Sequence, residues 1–154
     1  MSKRNTLFFV ADMLVAIDLI QRTTDSINLA DDFLTDETAS TICSRELEII
    51  GEAMKYVLED PLAKPFHKEY WRKVVDFRNV VSHEYFNLNY YEMFEIIKDG
   101  PVDELEEDLI GLLQKWPNKA ELDTILGQLI LDLQKIKRQA SIEYIEDIKE
   151  RVKS

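Results

Sequence analysis

The fold class follows from the stretch at residues 39–58, ASTICSRELEIIGEAMKYVL, in which apolar residues recur every three or four positions. Such spacing places the apolar side chains on one side of an α-helix and the charged ones on the other. The apolar stripe is formed by Ala39, Ile42, Cys43, Leu47, Ile50, Met54 and Val57. Asp36 is a suitable N-cap before the stretch, and Asp60-Pro61 is a suitable helix end after it. We therefore predict an amphipathic helix over residues 36–58.

The remaining sequence repeats this helical pattern between clear breaks. Four more helices are expected: from Asn5 or Thr6 to Ile27, from Glu69 to Ser82, from Asn89 to a break at Gly100-Pro101, and from that break to Trp116-Pro117. Residues 28–35 are expected to form a polar connection. Four Gly and four Pro in 154 residues are too few turn formers for many short strands. We therefore predict an all-α fold.

The C-terminal region carries a heptad pattern of apolar residues. Its seam is formed by Leu122, Leu126, Leu129, Leu133, Ile136 and Ala140. A single helix from Lys119 to Val152 would be about 50 Å long, more than a small bundle needs. The helix either breaks near Ala140-Ser141 or projects and packs on another chain. We assign residues 1–117 to a helical bundle domain and residues 118–154 to a C-terminal extension of the same domain.

The charge distribution restricts the possible partners. The net charge is −11, but residues 66–98 are neutral, with five Lys/Arg and five Asp/Glu. A protein this acidic is not expected to bind nucleic acid broadly, because neutralisation of phosphates supplies most non-specific affinity. The charge argues against a general nucleic-acid binder and not against a selective one, which could hold RNA in the neutral middle of the chain or through a partner subunit.

Several features indicate a cytoplasmic protein without a membrane partner. No apolar run reaches the roughly 20 residues that a membrane helix needs. Asp12 and Asp18 interrupt the apolar N-terminal segment, so a signal peptide is not expected. The single cysteine, Cys43, cannot form an internal disulfide, which fits a reducing compartment. His67 is expected on the surface, and the carboxylates of residues 103–108 are expected to form a solvated face. We predict neither a metal site nor a cofactor.

The segment Arg78-Asn79-Val80-Val81-Ser82-His83-Glu84-Tyr85 concentrates residues that suit phosphate chemistry. Arginine can hold a phosphate with a planar fork of donors, and histidine can transfer protons near neutral pH. Arg78 and His83 are five residues apart, so on one regular helix they would point about 140° away from each other. A shared site then needs a helix end, a bulge, or two chains that each supply such a segment. The alternative is a helix C-terminus whose basic groups complement the helix dipole.

The chain resembles the HepT-type toxins of the HEPN superfamily. Arg78-x4-His83-x-Tyr85 matches the Arg-x4-His-x-Tyr motif of that family, and residues 45–53, RELEIIGEA, look like its second-helix signature. Trp71 before the motif and Phe86 directly after it also fit. The likeness covers roughly residues 7–115 and leaves out the region from Lys119. It implies an up-and-down bundle of four to five helices with an additional C-terminal helix.

The resemblance also implies an activity and a site. Members of this family are metal-independent endoribonucleases in which two subunits of a homodimer share one RNA-binding cleft. By this pattern His83 acts as general base or acid and Arg78 stabilises charge on the phosphate. Asn79 is a polar neighbour that could position the RNA or its own segment. The expected reaction is attack of a ribose 2′-OH on the adjacent phosphate, which leaves a 2′,3′-cyclic phosphate and a 5′-OH. The RNA could be a tRNA or an mRNA.

The same resemblance implies a partner and a modification. HepT-type toxins pair with a small nucleotidyltransferase antitoxin of the MntA type, as in type VII toxin–antitoxin systems. That antitoxin attaches AMP units to the motif tyrosine, which would be Tyr85 in this chain. Two other hypotheses remain. The chain could be a non-catalytic HEPN module that binds a nucleotidyltransferase and helps to present its substrate, or a plain helical interaction protein. The acidity and the long C-terminal region favour a binding role somewhat.

Overall fold

The computed structural model describes residues 5–77 and 89–153. Within these ranges the chain forms α-helices and one 3-10 segment, with no strand. The helices are α1 (Thr6–Thr24), α2 (Ala30–Thr35), α3 (Glu37–Glu59), α4 (Trp71–Val75), α5 (Tyr90–Lys98), α6 (Pro101–Lys115), α7 (Lys119–Lys135) and α8 (Gln139–Val152), and the 3-10 segment spans Pro61–Phe66. The prediction of an all-α fold is confirmed. None of the described helices has the length and apolar content to cross a membrane.

Helix α1 is the centre of the bundle, because other helices cover it on several sides. It packs along α3 and also contacts α6, α7 and α8. Helices α1 and α3 run antiparallel. The hydroxyl of Thr6 donates to a carboxylate oxygen of Asp60, and Phe9 stacks on Tyr56 with ring centroids 4.7 Å apart. Eight apolar α1 residues are at most 2% exposed: Leu7, Val10, Ala11, Met13, Leu14, Ala16, Ile17 and Ile20.

Four helix starts are fixed by Asn or Asp side chains, as local sequence predicts. In each case the side-chain oxygen accepts a hydrogen bond from a backbone N–H in the first turn. These pairs are Asn5 with Leu7 (2.8 Å), Asp36 with Ala39 (3.0 Å), Asn89 with Glu92 (3.0 Å) and Asn118 with Glu121 (3.0 Å). Helix α6 begins differently. Gly100 adopts φ +108°, which favours glycine, and Pro101 takes the first helical position.

Two boundaries near the N-terminus differ from the sequence prediction. Helix α1 ends at Thr24 rather than Ile27, because the backbone turns there and the Ile27 N–H donates to the Thr24 carbonyl. Residues 28–35, predicted to be a polar connection, contain the short helix α2. This helix places Phe33, which is fully buried, against Phe94 of α5 at a ring-centroid distance of 5.4 Å. Tertiary packing of one aromatic residue therefore decides the local structure.

The C-terminal region folds back instead of projecting as one long helix. The break lies at Ile136–Arg138, a few residues before the expected Ala140-Ser141. Lys137 adopts φ 58°, and the Arg138 N–H donates to the Leu133 carbonyl over 3.0 Å, the pattern of a Schellman helix end. Helices α7 and α8 then pack on α1, and α8 also packs on α6. The fully buried residues of α8, Ile145 and Ile148, join the same core.

Candidate functional site

The four residues predicted to form the site lie outside the described residues. They are Arg78, Asn79, His83 and Tyr85. The structure describes the elements on either side of them. The segment is preceded by α4, which packs on α3, and it is followed by α5, which packs on α2. Phe77, bonded directly to Arg78, has a buried side chain, and Asn89 caps α5.

Helix α4 is short but firmly anchored. The side chains of Trp71 and Val74 are at most 2% exposed and join the core. Tyr70, just before the helix, donates its hydroxyl to the Asp108 carboxylate of α6. Burial raises the pKa of Tyr70, and the hydrogen bond to Asp108 raises it further. The buried side chains of Trp71 and Val74 and the hydrogen bond from Tyr70 to Asp108 therefore hold α4 in place, just before the segment that begins at Arg78.

His67 is partly buried, and the prediction of a surface residue is wrong. Its ring lies 5.9 Å from that of Trp71 between centroids, and its Nε2 lies 3.3 Å from the carbonyl oxygen of Val57. Val57 is in the last turn of α3, whose carbonyl groups have no N–H partner further along the helix, and the Val57 carbonyl also accepts from the capping Asp60 N–H. With its proton on Nε2, His67 donates to one of these carbonyls. The imidazole therefore joins the segment that leads into α4 to the C-terminal end of α3.

The acidic residues of α6 are not merely a solvated face, which corrects the second surface prediction. Glu106 and Asp108 are half-buried. Glu106 accepts hydrogen bonds from Tyr144 of α8 (2.6 Å) and from Gln21 of α1 (3.3 Å). Asp103 accepts from the same Gln21 amide (2.9 Å). These carboxylates therefore connect α6 to its neighbours. Within residues 5–77 and 89–153, no cluster of His, Cys, Asp and Glu has an arrangement that could hold a metal ion.

The signature stretch RELEIIGEA lies in the middle of α3, where the sequence predicts a helix. Arg45 is exposed and Glu52 is half-buried. Residues seven apart return to nearly the same side of a helix, so these two side chains share one side of α3. Glu46, next to Arg45 in the sequence, is half-buried. Burial raises the pKa of the Glu46 carboxyl, while nearby Arg45 and Arg138 oppose that shift.

A groove that the sequence analysis missed lies between α3 and α4. It has a volume of about 470 Å³, and its lining includes Lys55, Leu58, His67, Lys68, Arg72 and Val75. Glu59 and Glu69 also line it. No spacing in the sequence indicates this site, because Lys55 and Arg72 come together only when α4 docks on α3.

Comparison with known proteins identifies the family of the chain. A family model described as ribonuclease HepT-like matches residues 13–110, a range that includes the α3 signature and the Arg78–Tyr85 motif and ends within α6. A probable ribonuclease HepT of Thermococcus cleftensis is 34% identical over 98 residues, which are 63% of this chain and 86% of the relative.

Two further relatives agree with this match. A candidate RNase of Methanocaldococcus jannaschii is 31% identical over 99 residues, covering 64% of this chain and 89% of the relative. A candidate RNase of Caldanaerobacter subterraneus subsp. tengcongensis is 37% identical over 90 residues, covering 55% of this chain and 74% of the relative. No solved structure matches the chain. The chain belongs to the HepT-like ribonuclease family, the HepT type of the HEPN superfamily.

Proposed function

We propose that this ribonuclease is the toxin of a toxin–antitoxin pair and that it cleaves RNA at a site formed by Arg78 and His83 of two subunits. The observation that carries the proposal is the motif Arg78-x4-His83-x-Tyr85, which falls within the region that the ribonuclease family matches. The five-residue offset is awkward for one helix but suits a cleft to which two chains contribute.

The chemistry needs no metal ion in this proposal. One His83 side chain takes the proton of a ribose 2′-OH, and the 2′ oxygen forms a bond to the adjacent phosphorus. The bond from phosphorus to the 5′ oxygen breaks, and a second His83 gives a proton to that oxygen. Arg78 stabilises the negative charge that develops on the phosphate oxygens. Asn79 positions the RNA. The products are a 2′,3′-cyclic phosphate and a 5′-OH.

The test is cleavage of a tRNA and an mRNA by the purified protein, first shown to be a folded dimer by light scattering. Wild-type protein should cleave in the presence of EDTA and leave the cyclic phosphate. Arg78→Ala should cleave at least about tenfold more slowly, because it loses one charge-stabilising group, and Arg78→Lys should recover part of the rate. A folded dimer that leaves every RNA intact would support the non-catalytic binding module instead.

The proposed regulation is attachment of AMP units to Tyr85 by a nucleotidyltransferase antitoxin. An AMP two residues from His83 would put phosphate and base where RNA must bind, so it would block the cleft by bulk and by charge repulsion. The test is intact mass after co-expression with the nucleotidyltransferase. The mass should increase by whole AMP units, and Tyr85→Phe should abolish the increase. A Tyr85→Phe protein that still gains AMP would show that another residue is modified.

A further inference from the structure

We propose that the groove between α3 and α4 binds one nucleotide of the RNA strand, with its flanking phosphates, next to the cleavage site. This inference rests on the proposed function, because it assigns a binding position for the same substrate. It concerns residues outside the Arg-x4-His motif, in the part of the chain that the structure describes. We call this feature the α3–α4 groove, lined by Lys55, Leu58, His67, Lys68, Arg72 and Val75 together with Glu59 and Glu69.

The composition of the α3–α4 groove suits a nucleotide. Lys55, Lys68 and Arg72 are exposed cations along it, and the partly buried Leu58 and Val75 supply apolar surface. Proteins that bind single-stranded nucleic acid hold the backbone phosphates with cations and stack the bases on apolar or aromatic surface. A volume of about 470 Å³ is within the range of sites for small ligands.

The cations of the groove are available for phosphates. No carboxylate forms an ion pair with any of the three in the two described ranges. Two carboxylates, Glu59 and Glu69, also line the groove, so the cations outnumber them by one. Asp60 lies close in sequence but is engaged elsewhere. It accepts hydrogen bonds from the Thr6 hydroxyl and from the Leu62 N–H.

The charge around the groove contrasts with the rest of the protein. Residues 55–73 carry five Lys/Arg and three Asp/Glu, whereas the remaining residues carry 14 Lys/Arg and 27 Asp/Glu. A polyanion is repelled by most of such a surface and is attracted to a local excess of positive charge, such as the one in this segment. An RNA strand therefore has a favourable approach along the α3–α4 groove.

The covalent chain limits how far the groove can lie from Arg78. Val75 lines the groove and Arg78 follows three residues later. Consecutive Cα atoms are 3.8 Å apart, so the Cα of Arg78 is within about 11 Å of that of Val75 whatever the conformation between them. The groove is therefore within a few nucleotides of a phosphate held by Arg78.

The experiment measures how RNA affinity depends on salt. The probe is a fluorescein-labelled single-stranded RNA of about 12 nucleotides, long enough to span one binding site. Every ribose carries a 2′-O-methyl group, so the 2′ oxygen cannot attack and only binding is observed. The test variant is Lys55→Gln/Lys68→Gln/Arg72→Gln. The control is Lys135→Gln/Lys137→Gln/Lys153→Gln, which changes the net charge equally at exposed positions outside α3 and α4.

Loss of two phosphate contacts should reduce the slope of log affinity against log salt by about 1.4 for a single strand. At about 0.1 M salt this slope corresponds to roughly 25-fold weaker binding. The control variant should keep the wild-type slope to within about 0.3. The variant Lys55→Gln/Lys68→Gln/Arg72→Lys keeps one cation of the groove. It should recover about half of the lost slope, because lysine also neutralises a phosphate.

The outcomes distinguish failure of the groove assignment from failure of the proposed function. If the test and control variants show equal slopes while wild-type protein binds and cleaves RNA, the groove assignment is overturned and the ribonuclease proposal stands. If wild-type protein neither binds this probe nor cleaves unmodified RNA, both are overturned. Circular dichroism of each variant checks that the helices remain folded.

Discussion

The hydrogen bond between Tyr144 and Glu106 gives a quantitative test of how the C-terminal region docks. Tyr144 of α8 donates its hydroxyl to Glu106 of α6 over 2.6 Å, and the ring is mostly buried. A hydrogen bond to a charged acceptor contributes about 1.5–3 kcal/mol. Tyr144→Phe keeps the ring and removes the donor. It should therefore lower the free energy of unfolding by about 1.5–3 kcal/mol near neutral pH.

The same residue should make stability depend on alkaline pH. Burial raises the pKa of Tyr144 far above its ordinary value of 10.0, and the hydrogen bond to Glu106 raises it further. Below that ordinary value the tyrosine is neutral in both states and its contribution to stability is complete. Above it the unfolded state ionises first, so stability falls as pH rises. One such tyrosine should cost about 1.4 kcal/mol at pH 11.

Urea unfolding followed by circular dichroism, at about pH 8 and about pH 11, measures both effects. Wild-type protein should lose about 1.4 kcal/mol more than Tyr144→Phe between these two pH values. Tyr91→Phe is the control, because its hydroxyl also binds a carboxylate, that of Asp31, but the side chain is 50% exposed. If Tyr144→Phe unfolds like wild type at both pH values, α8 does not dock on α6 through this bond.

Three further changes test the core, a helix cap and the cysteine. Ile148→Ala should lower the free energy of unfolding by about 2–5 kcal/mol, because Ile148 is fully buried. The control Leu131→Ala, at a side chain that is 53% exposed, should change it by less than about 1 kcal/mol. Urea unfolding measures both variants. Asp36→Ala should cost about 1 kcal/mol by loss of the α3 cap, and Asp36→Asn should restore most of it in the same assay. Burial raises the pKa of the Cys43 thiol to about 12. A thiol reagent near pH 8 should therefore label native protein at least about a hundredfold more slowly than urea-unfolded protein. Equal labelling rates would show that Cys43 is accessible.

Four helix starts were predictable because their causes are local. Asn5, Asp36, Asn89 and Asn118 each bond a backbone N–H two or three residues later, so a short window of sequence contains both partners. The break at Lys137 was placed too late, since its αL conformation and Schellman bond occur at a lysine rather than at the glycine that marks most such ends.

The features that escaped prediction depend on partners distant in sequence. His67 was expected to be a surface residue, but the last turn of α3 and Trp71 half-bury it. Glu106 and Asp108 were expected in solvent, yet tyrosines from other segments bind them. The α3–α4 groove escaped prediction for the same reason, because Lys55 and Arg72 belong to different helices that meet only in the folded chain. The candidate catalytic site, by contrast, was predictable only from its motif and family likeness, and its residues lie outside the described ranges.

Cleavage by His83→Ala tests the central claim most directly. Wild-type protein and His83→Ala are compared as folded dimers, in EDTA, by single-turnover cleavage of end-labelled RNA, with the products analysed for a 2′,3′-cyclic phosphate. Proton transfer by a positioned side chain contributes about 10²–10⁴-fold, so the variant should be slower by about that factor while binding RNA normally. An unchanged cleavage rate in His83→Ala would contradict the account.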